Sequence, residues 1–403
     1  MHKLFVVAEH VYEAQNSTGY FWFKLIEKLA STYGPTCVIT MAESKSNCKK
    51  ISNQRVTYIE LADIKYNKNK LLTRFVGQAR LVFGFVKAMR LNFKKGDVVF
   101  TGTNPALLLM LLPWVKMLIE FRWCLLVHDV FPENLVPAKI LKKKSILYWL
   151  ISRYFAWAYS KADLLYVIGR DMEDLISAKI GGTEKIAFVP NWVDEIDVKP
   201  IDRSESKILN RFKWGDKIVF QFFGNIGRLQ GIDNILDAIK LVKSEKAAFL
   251  FIGDGAKAKD VVDFCRAHTL ANVYYYGALD QAEKNEGLAA CDVALVTLEK
   301  GMEGLGVPSK SYFAMAADRP ILAVMDPKAE ISMMVTEHKI GWTCEPSNSV
   351  ALASTIDMIC EGFRCQQINS PRGVFLKDYS ANIILEKLIE RLDSFELRRK
   401  VWI

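Results

Sequence analysis

Short apolar runs alternate with longer stretches in which apolar residues recur every three to four positions, and the alternation continues along most of the chain. Strands buried on both faces read as continuous apolar runs, and the helices that return the chain to the same sheet edge read as amphipathic stretches. Strands are predicted at Leu4 to Ala8, Cys37 to Thr40, Val98 to Thr101, Cys124 to His128, Leu164 to Ile168 and Ile186 to Val189. A polar break containing Pro200 runs from Pro190 to Asp216, after which strands are predicted at Ile218 to Phe223, Ala247 to Ile252, Val273 to Tyr276, Val293 to Thr297 and Pro320 to Val324. The pattern predicts an α/β chain of two doubly wound Rossmann-like domains facing across a cleft, with residues 1–195 and 196–375 as the domains and 376–403 as a closing helical segment.

Two stretches depart from this regularity. Pro105 to Val127 is rich in leucine, but Pro113, Lys116, Glu120 and Arg122 interrupt it, so burial in the first core or shallow membrane contact is expected rather than a spanning helix. Lys139 to Lys161 combines Lys142, Lys143 and Lys144 with Tyr148, Trp149, Tyr154, Phe155, Trp157 and Tyr159. Such a segment suits a helix lying on an anionic leaflet, and equally an amphipathic helix whose aromatics are core.

At 403 residues the chain exceeds what one core organises, while 51% apolar and 25% charged residues describe a globular protein rather than a disordered or polytopic one. The net charge of +9 favours phosphate-bearing ligands or an anionic membrane surface. Part of it sits at Lys142 to Lys144 and at Arg398, Arg399 and Lys400, with no nucleic-acid-binding motif alongside, so nucleic acid is not an expected partner. Eight scattered cysteines without a Cys-x-x-Cys pair fit a reducing cytoplasm, and Glu9 and His10 follow the first apolar run too soon for a signal peptide.

The strongest phosphate signal follows the run Ile218 to Phe223: Gly224, Asn225, Gly227, Arg228, Gln230 and Gly231 lead into a helix-like stretch. Glycines let backbone amides approach a diphosphate, and Arg228 adds a permanent charge. The G-x-x-G-x-x-x-G spacing differs from the dinucleotide-binding G-x-G-x-x-G. Gly253 sits in a second strand-to-helix corner, and Ser309 with Lys310 in a third, where a diphosphate could also be held. In the first half, His128, Asp129, Glu133 and Asn134 end an apolar run and could hydrogen-bond sugar hydroxyls, while Ser17, Thr18 and Gly19 form a loop suited to an acceptor or a phosphate. No Asp-x-Asp occurs and the histidines are dispersed, so no metal or other cofactor is expected.

Taken in order, His128 to Asn134, Ala162 with Asp163, Val189 to Asp194, the Gly224 to Gly231 loop, Ile252 to Gly255, Ala290 to Val293 and Val307 to Lys310 resemble bacterial glycosyltransferase family 4, of the GT-B fold, and within it the O-antigen and capsule sugar transferases such as L-fucosamine transferases. The resemblance implies an acceptor-binding first domain, a nucleotide-sugar-binding second domain and a last helix, Ala381 to Arg391, that returns to the first. It implies a UDP-linked donor, retention at the anomeric carbon without a covalent enzyme intermediate, and an undecaprenyl-diphosphate-linked oligosaccharide as acceptor at the inner face of the cytoplasmic membrane. Arg228 and Lys310 would neutralise the departing diphosphate and His128 would orient the donor sugar.

The chain departs from the family pattern at two points. The lysine usual soon after the loop arginine is replaced by Gln230 and Gly231, and Leu305 and Phe313 stand where a pair of glutamates is common, leaving Glu303 and Glu330 as candidate substitutes. Two other readings fit the same scaffold: a nucleotide-sugar epimerase, and a non-catalytic membrane-recruiting subunit.

Overall fold

The structure, a computed structural model, describes residues 2–13, 16–43, 50–62, 71–212, 214–268, 272–363, 365 and 367–395, with the side chains of 71–75 and 281 excluded. The basic cluster at Arg398 to Lys400 lies outside the described residues. The chain divides into two compact units: Met1–Val136 with Leu141–Pro190 and Ile384–Ile403, and Asn191–Ile383 with Pro137–Ile140.

The first unit runs β1 (Leu4–Val7), α1 (Ser17–Tyr33), β2 (Thr36–Met41), β3 (Val56–Leu61), α2 (Leu71–Asn92), β4 (Val98–Gly102), α3 (Ala106–Ile119), β5 (Arg122–Val127), α4 (Ile146–Ser160), β6 (Leu164–Val167), α5 (Arg170–Ile180) and β7 (Ile186–Phe188). Its seven-stranded sheet is parallel, in the order β3-β2-β1-β4-β5-β6-β7. The order reverses direction between β1 and β4. Right-handed crossovers therefore put α1 on one face and α2, α3, α4 and α5 side by side on the other, consistent with the contacts of α2 with α3, α3 with α4 and α4 with α5. Helix α1 starts where the Asn16 side chain accepts the Gly19 amide at 2.8 Å, and its stripe of Trp22, Leu25, Ile26, Leu29 and Ala30 is buried. The leucine-rich stretch divides into α3 and β5, so its two halves bury Leu108, Leu109 and Leu112 on a helix and Leu125 to Val127 in a strand. No described helix is long and apolar enough to cross a membrane.

The second unit runs α6 (Lys207–Phe212), β8 (Ile218–Phe223), α7 (Ile232–Ile239), β9 (Ala247–Ile252), α8 (Ala258–His268), β10 (Val273–Gly277), α9 (Lys284–Ala289), β11 (Val293–Thr297), α10 (Lys310–Ala316), β12 (Ile321–Val324), α11 (Glu330–His338), β13 (Gly341–Cys344), α12 (Ser349–Gly362) and α13 (Pro371–Asp378). Its sheet, also parallel, has the order β10-β9-β8-β11-β12-β13 and reverses between β8 and β11. Phe220, Phe249, Phe251, Ile235, Val261 and Ile356 interdigitate in its main core, where each fully buried side chain contributes about 2 kcal/mol of transfer free energy. The last helix, α14 (Ala381–Ser394), has Glu386 paired with Lys28, Asp393 accepting from the Tyr33 hydroxyl at 2.7 Å, and Leu388 O accepting from the Tyr166 hydroxyl at 3.1 Å.

Candidate functional site

In the second unit the site forms where the strand order reverses. The loop leaving β8 and the corner leaving β9 interlock: Gly224 N donates to Ile252 O, Ile226 N to Asp254 O and Lys257 N to Ile226 O, each at 2.9 Å. The approach is so close that a Cβ on Gly253, at φ +137°, would lie 1.8 Å from Gly224 O. On its other side the loop is pinned to the end of β11, where the Thr297 hydroxyl bonds Gln230 O and Glu299 N donates to Leu229 O at 2.9 Å. With the Gly224 and Ile226 amides so engaged, those of Gly227, Arg228 and Leu229 make no hydrogen bond to protein among the described residues.

Lys310, first residue of α10, reaches this loop. Its Nζ donates to Gln230 Oε1 at 2.6 Å and sits 3.6 Å from the centroid of the Phe222 ring. Removal from water disfavours the charged amine and pushes its pKa down to about 7. Ser309 precedes Lys310 and its carbonyl accepts the Tyr312 amide at 3.1 Å. Arg228 and Asn225 are exposed on the loop, as is Glu303 in the turn ahead of α10. Glu330 is buried at the first turn of α11.

In the first unit His128 directly follows β5, and its amide and that of Asp129 both point to the Thr103 hydroxyl, at 3.3 and 3.2 Å. The imidazole lies against two α1 rings, stacked on Phe21 at 6.3 Å and edge-on to Trp22 at 6.4 Å. Its Nε2 is buried without a hydrogen-bond partner among the described residues. Burial holds the ring neutral, with its pKa lowered to about 4. Burial also raises the Asp129 pKa, against a lowering contribution from Asn104, whose Nδ2 donates to Asp129 Oδ2 at 3.0 Å. Glu133 is tied elsewhere: its Oε1 accepts from Lys179 at 2.7 Å, from Tyr148 at 3.1 Å and from Ser152 at 3.2 Å, a network that joins it to α4 and α5. Ser17 is exposed at the start of α1, Thr18 is partly buried, and the Gly19 amide is occupied by the Asn16 cap.

The chain is 50% identical over 394 residues to the "Probable glycosyltransferase WbjE" of Pseudomonas aeruginosa, covering 96% of both sequences. Residues 217–361 match the family described as "Glycosyl transferases group 1". The chain belongs to the group 1 glycosyltransferases. Solved structures of similar fold include Anabaena Alr3699/HepE in complex with UDP-glucose (TM-score 0.71, 15% identity, 98% of this chain and 100% of that one) and the sucrose-phosphate synthase of Thermosynechococcus elongatus (TM-score 0.74, 14% identity, 98% and 99%). The fold of this glycosyltransferase is GT-B, as the resemblance led one to expect.

Several neighbours in the transferase's two sites escaped the sequence reading. Phe222 read as one more apolar residue of the run Ile218 to Phe223, and Phe21 and Trp22 were not singled out at all; each touches a candidate residue only because the fold brings it there. Thr103 and Asn104, which hold the backbone of His128 and the carboxylate of Asp129, follow β4, the strand adjacent to β5. Their polar character immediately after a strongly apolar strand was the available signal. Among the described residues no group of three or more His, Cys, Asp or Glu side chains could hold a metal ion.

Proposed function

We propose that this glycosyltransferase takes a UDP-linked hexose or N-acetylated amino sugar and transfers it, with retention at the anomeric carbon, to a lipid-diphosphate-linked oligosaccharide of the O-antigen or capsule kind. In this reading the second unit holds the donor, the first unit takes the acceptor, and the enzyme works attached to the inner face of the cytoplasmic membrane. The observation that carries the reading is the meeting of Lys310, Gln230 and Phe222 beside the unpaired amides of Gly227 to Leu229. Donors of both kinds converge at the carboxyl end of a parallel sheet, next to the β8/β11 reversal where such folds bind nucleotides. The UDP-glucose held by the structurally similar Alr3699/HepE supports the choice of nucleotide, and the extensive identity to WbjE supports the transferase assignment.

Catalysis is then chiefly electrostatic. As the bond from the anomeric carbon to the diphosphate breaks, Lys310, Arg228 and the loop amides take up the charge appearing on the leaving group. Gly224, Asn225 and Gly253 shape the loop, and Gln230 fixes Lys310. His128, with a neutral ring and an Nε2 that lacks a protein partner among the described residues, serves a sugar hydroxyl, and Ser309, Glu303 and Glu330 are assigned to the donor. Asp129 and Glu133, with Ser17, Thr18 and Gly19, are assigned to the acceptor side.

Thermal stabilisation by UDP, GDP and dTDP and their sugars tests the reading first, with UDP expected to give the largest shift. Arg228→Ala and Lys310→Ala are expected to abolish transfer, and His128→Ala to lower turnover far more than nucleotide affinity. Indifference to every nucleoside diphosphate would remove the basis of the proposal. Epimer formation from the nucleotide sugar alone, without transfer, would replace it with the epimerase reading.

A further inference from the structure

The helices on one face of the first sheet divide sharply in character. Helices α2, α3 and α4 carry no aspartate or glutamate and hold six basic residues, Arg74, Arg80, Lys87, Arg90, Lys116 and Arg153. Lys142, Lys143 and Lys144 are exposed just ahead of α4. The neighbouring α5, in the same layer, has Asp171, Glu173 and Asp174. The three acid-free helices also bear large apolar side chains that are at least half exposed: Phe83 and Leu91 on α2, Trp114 and Leu118 on α3, Ile146 and Trp149 on α4. On α2 and α3 these positions follow helical spacing, with Val76 and Phe83 seven apart and Leu111, Trp114 and Leu118 at steps of three and four, so each helix presents one outward stripe. No large apolar side chain of α5 is exposed.

Helices α3 and α4 meet through their aromatic side chains. Trp114 Nε1 donates to the Tyr154 hydroxyl at 2.9 Å and its ring lies 5.1 Å from that of Trp157, joining α3 to α4. Arg153 stacks over Trp149 at 5.0 Å and Lys161 over Trp157 at 5.9 Å, so cations flank the indoles without acidic neighbours on the same helices. Lys116 is paired with Asp163, whereas Arg80, Lys87, Arg90 and Arg153 make no ion pair among the described residues. Beside α2, Val76, Ala79, Arg80 and Phe83 line a shallow groove of about 370 Å³ with a guanidinium among apolar walls. Helix α4 itself reconciles two readings of its sequence: Phe155, Ala158 and Tyr159 are core, while Ile146, Leu147, Trp149 and Leu150 are exposed.

We propose that the outer surface of α2, α3 and α4 docks on an anionic lipid bilayer, inserting Phe83, Leu118, Ile146 and Trp149 to the level of the headgroups while the basic residues meet lipid phosphates. The inference rests on the membrane attachment proposed above and assigns it a surface. Charge decides the occupant. A second copy of this chain meeting the same face would bring two predominantly cationic surfaces together, with Asp163 and Glu120 already paired to Lys116 and Lys95, whereas an anionic leaflet offers opposite charge to the basic residues and an apolar interior to the aromatics. With only shallow insertion, the helices need not be long enough to span.

The test uses the full-length protein and sedimentation with vesicles of phosphatidylcholine, with or without phosphatidylglycerol. Binding is expected only to the anionic vesicles, weakening as salt is raised. Lys142, Lys143 and Lys144 changed together to Gln should lower the apparent affinity roughly a hundredfold, at about tenfold or less per charge, and Trp149→Ser or Leu118→Ser about tenfold each. Asp174→Asn on α5 should leave it unchanged. UDP-induced thermal stabilisation of each variant should match the parent, which separates failure at the membrane from failure of the donor site. Absence of binding to anionic vesicles by the parent protein overturns both the attachment and the surface. Parent-like binding by the α3 and α4 variants overturns the surface alone. Concentration-dependent dimerisation that Trp149→Ser abolishes, with no vesicle binding, would assign the face to a second copy instead.

Discussion

Raising the pH from about 6.5 to about 9 is expected to weaken UDP binding steeply, because the amine proposed to meet the diphosphate is neutral over most of that range. Lys310 is desolvated between Gln230 and Phe222, and its pKa lies at about 7 rather than 10.5. Carrying the charge into the unliganded site therefore costs of the order of 5 kcal/mol, the equivalent of a shift of about 3.5 units. Diphosphate binding favours the ammonium and must draw a proton from solvent whenever the free amine is neutral. If the bound lysine stays charged throughout, the affinity scales with the charged fraction of the free protein. This gives a loss relative to pH 6.5 of roughly eightfold at pH 8 and roughly 75-fold at pH 9. The last ionisation of the diphosphate itself, near pH 6, is already about three-quarters complete at pH 6.5 and adds only a small slope of opposite sign. Calorimetric titration of UDP in buffers of different ionisation enthalpy would measure both affinity and proton uptake, the latter about half a proton at pH 7 and about 0.9 at pH 8. Lys310→Arg keeps its charge at every pH and should bind with a flat profile. A flat profile for the parent protein, or the same slope in Lys310→Arg, would refute the reasoning.

Two further outcomes follow from the geometry. The His128 pKa is depressed, so below about 6.5 the unfolded chain takes up a proton that the folded one refuses until pH about 4; stability should fall across that window by of the order of 3 kcal/mol, and urea denaturation of His128→Gln should lack this contribution. Gly253→Ala drives a Cβ into Gly224 O and should cost more than about 3 kcal/mol or prevent folding, whereas Gly181→Ala, also at positive φ but facing open space, should cost about 1 kcal/mol, as thermal melts of the two variants would show.

Much of the fold was legible along the chain because both sheets are parallel and covered. Strands β8, β9 and β11 coincide with the runs Ile218 to Phe223, Ala247 to Ile252 and Val293 to Thr297, since a strand buried on both faces reads as a nearly continuous apolar run; Gln221, inside β8, is buried with its Nε2 donating to Gly287 O at 2.7 Å. The strands that went unread, β3 and β13, are each one of the two outer strands of their sheets, and there exposed Thr57, Glu60 and Thr343 break the apolar run, whereas the outer strands β7 and β10 kept apolar or aromatic runs and were read. The glycine corner after β8 was equally plain, because backbone approach as close as that of Gly253 to Gly224 O leaves room for no other residue.

What the linear pattern determined was the kind of sheet, the positions of its buried strands and the residue types at their carboxyl ends, since each of these is a local requirement on neighbouring residues. Only the tertiary structure decided the environments. Gln230 and Lys310 meet across 80 positions of sequence, and Phe222 lies beneath the amine only because β8 and β11 adjoin at the reversal of strand order. The pKa of a lysine and the partner of a histidine depend on what folding removes from water, and the three-helix cationic face exists only because crossover handedness sets α2, α3 and α4 in one layer. Such properties belong to pairs and surfaces, so no single stretch of chain encodes them.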